Sequence, residues 1–119
     1  MDPLGPGRIF WGVYPGDRGD GKTRPMIVAS RRTEILRTGS LIAVVCSTRF
    51  GDPLEPMEVR LPADPEGRSI TRLREDTVAV CDWTTEFAAS DIRETGGLVP
   101  APLLREICRL SGLPFPSER

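Results

Sequence analysis

Apolar residues along the chain fall into short runs separated by turn-forming stretches. Ile9 to Val13 is the first run, Pro25 to Ser30 the second and Ser40 to Ser47 the third. Runs this short, bounded by glycine, proline and charge, read as buried strands rather than helices. Met57 to Leu61 alternates apolar and charged residues, the period of a half-exposed strand, and Val78 to Cys81 is a further buried strand that ends at Asp82-Trp83. Arg31 to Gly39 suits a polar hairpin connection or a short helical turn. Pro62 to Arg68 reads as a turn, and Ala88 to Glu94 as a brief helix with Ser90 or Asp91 near its start. From Val99 to Leu110 the apolar residues recur at helical spacing, with Pro100 and Pro102 in the first turn and Gly112 past the end. Several short strands and one C-terminal helix predict a mainly β chain of the α+β class: a small, strongly bent barrel with the helix packed on it.

At 119 residues the chain is long enough for one domain and one core. The Pro- and Gly-rich residues 1–6 read as a flexible arm and 114–119 as a tail. No basic segment followed by an apolar one opens the chain and no apolar run approaches membrane length, so a cytoplasmic protein without a membrane partner is expected. Cys46, Cys81 and Cys108 are widely separated and each lies in an apolar run, which fits neither a disulfide framework nor a metal knuckle. They read as small buried residues. Histidine is absent, which removes the commonest general acid-base group and transition-metal ligand. No metal and no cofactor are expected.

The net charge of −1 conceals an asymmetry. Residues 1–49 carry eight Lys/Arg against four acids, and residues 50–119 carry eight Arg against thirteen acids. A basic groove on an acidic body has this distribution, and so does a solvated surface of mixed charge.

Gly16 to Thr23 satisfies the phosphate-binding pattern G-x-x-x-x-G-K-[ST], with Lys22 as its lysine. That motif needs a helix at its end. Met26, Ile27, Val28 and Ala29 are instead contiguous, five polar residues follow, and the apolar positions give no helical stripe. A strand entered through Arg24-Pro25 fits better, which makes a P-loop nucleotide-binding protein the weaker reading.

Gly7-Arg8-Ile9-Phe10-Trp11, a glycine-bearing loop, Thr23-Arg24-Pro25-Met26-Ile27-Val28-Ala29-Ser30, Val44-Val45-Cys46-Ser47-Thr48 and Asp76-Thr77-Val78-Ala79-Val80-Cys81-Asp82 follow in that order. In this the chain resembles the MazF/PemK (Kid-like) family of toxin endoribonucleases, from about Gly7 to Leu113. The resemblance implies an SH3-like barrel, a homodimer, and the toxin of a type II toxin-antitoxin system. It also implies a metal-independent, sequence-selective cut in single-stranded RNA that leaves a 2′,3′-cyclic phosphate and a 5′-hydroxyl. The partners implied are RNA and a cognate antitoxin with an acidic tail. A non-catalytic barrel that binds RNA or protein is the alternative.

RNA carries its own nucleophile, the ribose 2′-hydroxyl beside the scissile phosphate. A protein must align it, stabilise charge on the phosphorane and manage two protons. Guanidinium is planar, permanently charged and presents paired donors to phosphate oxygens, so it suits the second task and makes a poor base. The resemblance implies Arg24 in that role, Ser47 as a hydrogen-bond donor to the same oxyanion with Thr48 beside it, and Asp82 orienting the 2′-hydroxyl or taking its proton. Arg18 and Lys22 in the first loop, Arg49, Thr48 and Trp83 are the expected RNA contacts, Trp83 as a stacking platform. The chain departs from the family pattern in a shorter first loop, in having only Asp20 near the position of a loop glutamate, and in Val80, where some members carry arginine.

Overall fold

The computed structural model describes residues 4–14 and 21–117. Six strands form one antiparallel sheet: β1 (Arg8–Val13), β2 (Thr23–Val28), β3 (Ser40–Ser47), β4 (Glu58–Leu61), β5 (Thr77–Ala88) and β6 (Glu94–Leu98), in the spatial order β4-β5-β3-β2-β1-β6. Helix α1 (Arg32–Thr38) joins β2 to β3, and α2 (Ala101–Ser111) follows β6.

The contiguous apolar runs of β2 and β3 exist because both faces of the sheet are covered. On one face Ile9, Ile27, Val44, Cys46, Ala79 and Cys81 pack against Leu104, Ile107 and Cys108 of α2. On the other, Phe10, Met26, Val28, Val45 and Phe87 pack beneath Ile35 of α1, with Leu4 against them. A strand buried on both faces has no polar side, so its alternation is lost. Helix α2 ends as expected: Gly112 takes the left-handed conformation at φ 73°, and the Leu113 amide donates to the Cys108 carbonyl at 2.9 Å, closing the last turn. Phe115 continues the α2-side core, beneath the guanidinium of Arg105. Of the arm expected over 1–6, residues 1–3 lie outside the described residues.

Residues 31–39 take the helical of the two readings open to them, as α1, which Gly39 stops. Three features differ from the sequence expectations. The strand expected over Val78–Cys81 runs on to Ala88, and the helix expected over Ala88–Glu94 shrinks to a 3-10 turn at Ala89–Asp91 before β6, which sequence reasoning did not find. The extension is possible because β5 is bent. Val44 pairs with Thr84 but Cys46 pairs with Ala79, so residues 80–83 bulge from the ladder, and that bulge carries Asp82 and Trp83.

The connection between β4 and β5 folds across the outer edge of β6 and curls the sheet towards closure. The Gly97 amide donates to the Thr71 carbonyl at 3.1 Å and the Leu98 amide to the Ile70 carbonyl at 2.9 Å. Gly97 permits this approach, since a Cβ there would lie 2.1 Å from the Ile70 carbonyl oxygen. No helix among the described residues is long and apolar enough to cross a membrane.

Candidate functional site

Pro25 opens the site. The Ala29 amide donates to the Ile42 carbonyl on β3, so by the alternation of a strand the odd residues of β2 present their amides to β3. Proline has no amide to give. The β2–β3 pairing accordingly ends at Met26↔Val45. Two residues further along each strand lie Arg24 and Ser47, no longer paired with each other although Arg24 still pairs with Gly12 and Ser47 with Val78, and both line a cleft of about 480 Å³.

This cleft gathers most of the residues expected from the sequence. Lys22 and Arg24 enter from the start of β2, and Ser47, Thr48 and Arg49 from the end of β3. Thr48 and Arg49 are exposed and Arg24 is half-buried. The Ser47 hydroxyl accepts from the Arg49 amide at 3.0 Å and donates to the Arg49 carbonyl at 3.1 Å. It thereby ties the turn that presents Arg49, and must rotate before it can donate to anything in the cleft.

Arg24 is held from behind. Its guanidinium carbon lies 5.2 Å from the centroid of the Trp83 ring, and Trp83 meets Tyr14 edge-on at 5.1 Å between centroids. A cation over an indole face is attracted by the ring quadrupole and loses rotamer freedom. Trp83 is therefore a support for Arg24 in this structure, and an RNA base could stack on that face only if Arg24 left it. Asp82 is exposed on the β5 bulge and is not part of the cleft wall. The carboxylates that do line the cleft are Glu75 and Glu94. Arg18 lies outside the described residues.

Sequence reasoning missed Arg72 and Arg74, which line the same cleft from the β4–β5 connection. The chain here alternates: Thr71 and Leu73 are buried, Arg72 and Arg74 exposed. That alternation was a readable signal, but only the crossing over β6 shows which surface the arginines join. Trp11 also lines the cleft and its ring lies against Gly96, where a Cβ would sit 2.6 Å from the ring. The cleft thus holds five cationic side chains and two carboxylates.

The phosphate-loop pattern is broken at its end. Lys22-Thr23 leads into β2, not into the helix whose N-terminus such a loop uses. Gly16 to Asp20 lie outside the described residues.

No family sequence profile and no curated protein sequence matches the chain. Solved structures do. A MazF from Deinococcus radiodurans is 24% identical over 94% of this chain and 96% of that one, with a TM-score of 0.73. The toxin MazF-mt6 of Mycobacterium tuberculosis is 19% identical over 90% and 98%, with a TM-score of 0.65. An endoribonuclease solved with its cognate antitoxin, from a mycobacterial species, is 21% identical over 98% and 100%, with a TM-score of 0.62. At these identities the likeness is one of architecture, and over nearly its whole length the chain has the fold of the MazF toxins.

Proposed function

We propose that this chain is a MazF-family toxin of a type II toxin-antitoxin system, an endoribonuclease that cuts single-stranded RNA without a metal ion. The observation that carries the reading is the meeting of Arg24 and Ser47 in one cationic cleft, at the point where Pro25 ends a ladder. The fold shared with an endoribonuclease solved beside its antitoxin supports it.

The scissile phosphate lies against Arg24. The ribose 2′-oxygen attacks phosphorus, the bond to the 5′-oxygen breaks, and the products are a 2′,3′-cyclic phosphate and a 5′-hydroxyl. Charge on the phosphorane is met by the Arg24 guanidinium, whose donors are fixed before the substrate arrives. Ser47, rotated away from the Arg49 carbonyl, donates to the same oxygens, with Thr48 beside it. Asp82, on the neighbouring β5 bulge, accepts the 2′-proton; an unchanged rate in Asp82→Asn would transfer that task to Glu75 or Glu94, which line the cleft itself. The 5′-oxygen takes its proton from water. Lys22, Arg49 and the first-loop Arg18 contact flanking phosphates. A homodimer, and an antitoxin whose acidic tail occupies the same cleft, complete the reading.

The test is to incubate the protein with mixed-sequence RNA in EDTA and map the ends. Cyclic phosphate at a restricted set of sequences is expected. Intact RNA alongside tight binding would favour the non-catalytic RNA-binding barrel.

A further inference from the structure

Resting on the RNA reading above, we infer that Arg72 and Arg74 form a second phosphate clamp, built on the rigid β4–β5 connection, which holds RNA beside the bond being cut.

The two side chains are exposed on a scaffold that is not. Thr71 is 0% exposed, and its hydroxyl donates to the Pro62 carbonyl at 2.5 Å while accepting from the Leu73 amide at 3.2 Å. Ser69 adds a hydroxyl contact to Thr71 at 2.9 Å, and Leu73 enters the α2-side core. With the two backbone bonds to β6, the segment is fastened on both sides. On such a platform the backbone is ordered beforehand, and binding has only the two side chains left to order.

Arg72 stands at φ 60°, a left-handed conformation that a long side chain rarely adopts. Glycine would sit there without strain. A strained arginine lining a cationic cleft therefore points to use of its side chain. Arg74 lies over Gly67, where a Cβ would come within 3.3 Å of its Nε.

Charge points the same way. Among the described residues no carboxylate is within ion-pair distance of Arg49, Arg72 or Arg74, although Glu75 and Glu94 line the same cleft. Gathering cations without pairing them raises the local potential, which attracts a polyanion. Lys22, Arg24 and Arg49 come to the cleft from the start of β2 and the end of β3, and Arg72 and Arg74 from the β4–β5 connection, so a strand lying in the cleft meets cations from two separate parts of the chain.

Binding of a long mixed-sequence RNA with methylated 2′-hydroxyls, which cannot be cleaved, is measured against salt concentration. Each lost phosphate contact on single-stranded RNA lowers the slope of log K on log salt by about 0.7, so the double variant R72G/R74A should lose about 1.4 and bind at least roughly tenfold more weakly at low salt. Its melting temperature should not fall, because glycine suits the Arg72 backbone, and R72K/R74K should recover the slope. An unchanged slope in R72G/R74A, with wild type binding and cleaving normally, overturns the clamp alone. A slope lost equally in R72K/R74K, with a lowered melting temperature, overturns it too by making both residues structural. Wild-type protein that binds no RNA overturns the function and the clamp together.

Discussion

Two depressions of nearly equal size lie at opposite ends of β2 and β3. The cleft at the Arg24 end measures about 480 Å³, and a groove at the Ser30 end, between α1 and the C-terminal tail, about 440 Å³. Their charge differs. The cleft has five cations and two carboxylates, whereas the groove has Arg31 against Glu34 and Glu86, with Leu113 and Phe115 as an apolar wall. Concavity is thus a by-product of a curled sheet whose strands end unevenly. What sets one end apart is the convergence there of arginines from separate segments.

The sharpest way to break this contrast is Arg24→Ala. Removing a preorganised donor from developing charge costs on the order of 10² to 10³ in kcat. Cleavage of RNA in EDTA should fall by at least that much, with folding intact by circular dichroism. Arg24→Lys should recover little, since an ammonium keeps the charge but loses the planar pair of donors. Near-native cleavage in Arg24→Ala would leave the cleft without a centre.

Gly97→Ala tests the architecture under the charge. Its Cβ would meet the Ile70 carbonyl, so the β6 edge and the platform carrying Arg72 and Arg74 must separate. Overpacking of this kind costs about 1 to 3 kcal/mol. Urea denaturation should report that loss, and the RNA salt slope should fall as it does when the arginines are removed.

Gly97 also marks where sequence reasoning stopped. Strands β1 to β3 and helix α2 were readable because their apolar runs and end signals are local. Arg24 and Ser47 were singled out by the family resemblance, and the cleft brings the two together where one such run begins and another ends. Strand β6, Glu94-Thr95-Gly96-Gly97-Leu98, has two glycines where a strand usually has branched residues. Both are required by neighbours distant in sequence: Trp11 against Gly96, and the Ile70 carbonyl against Gly97. The polar half of β5, Thr84-Thr85-Glu86, was hidden in the same way, because its pairing partners on β3 are remote in sequence. Arg72 and Arg74 belong to the acidic half of the chain, and only the crossing over β6 brings them to the basic cleft.

The two sheet faces extend the comparison to ionisation. All three thiols lie in the α2-side core. Burial pushes the Cys81 thiol from 9.0 up to about 11, opposed in part by the Ser111 hydroxyl, and raises Cys46 and Cys108 as well. The folded state keeps these protons and the unfolded chain sheds them first, so the thiols leave stability unchanged below about pH 9 and reduce it as pH rises towards about 11. Melting temperature measured across that range should decline, less so in Cys81→Ala relative to its own value at neutral pH. A thiol reagent at neutral pH should label no cysteine in the native protein and three in guanidinium.

The smallest effects belong to the groove. Arg105 covers the Phe115 ring at 4.1 Å, an exposed cation–π contact of about 0.5 to 1 kcal/mol. Arg105→Ala should lower stability by that amount and leave both RNA cleavage and the salt slope as they were. Arg31→Ala, which removes the only cation lining this groove among the described residues, should also leave the slope unchanged. If it lowers the slope by as much as one of the cleft arginines, RNA engages both ends of the sheet. The difference between the two depressions would then lie in which of them cuts, because both would bind.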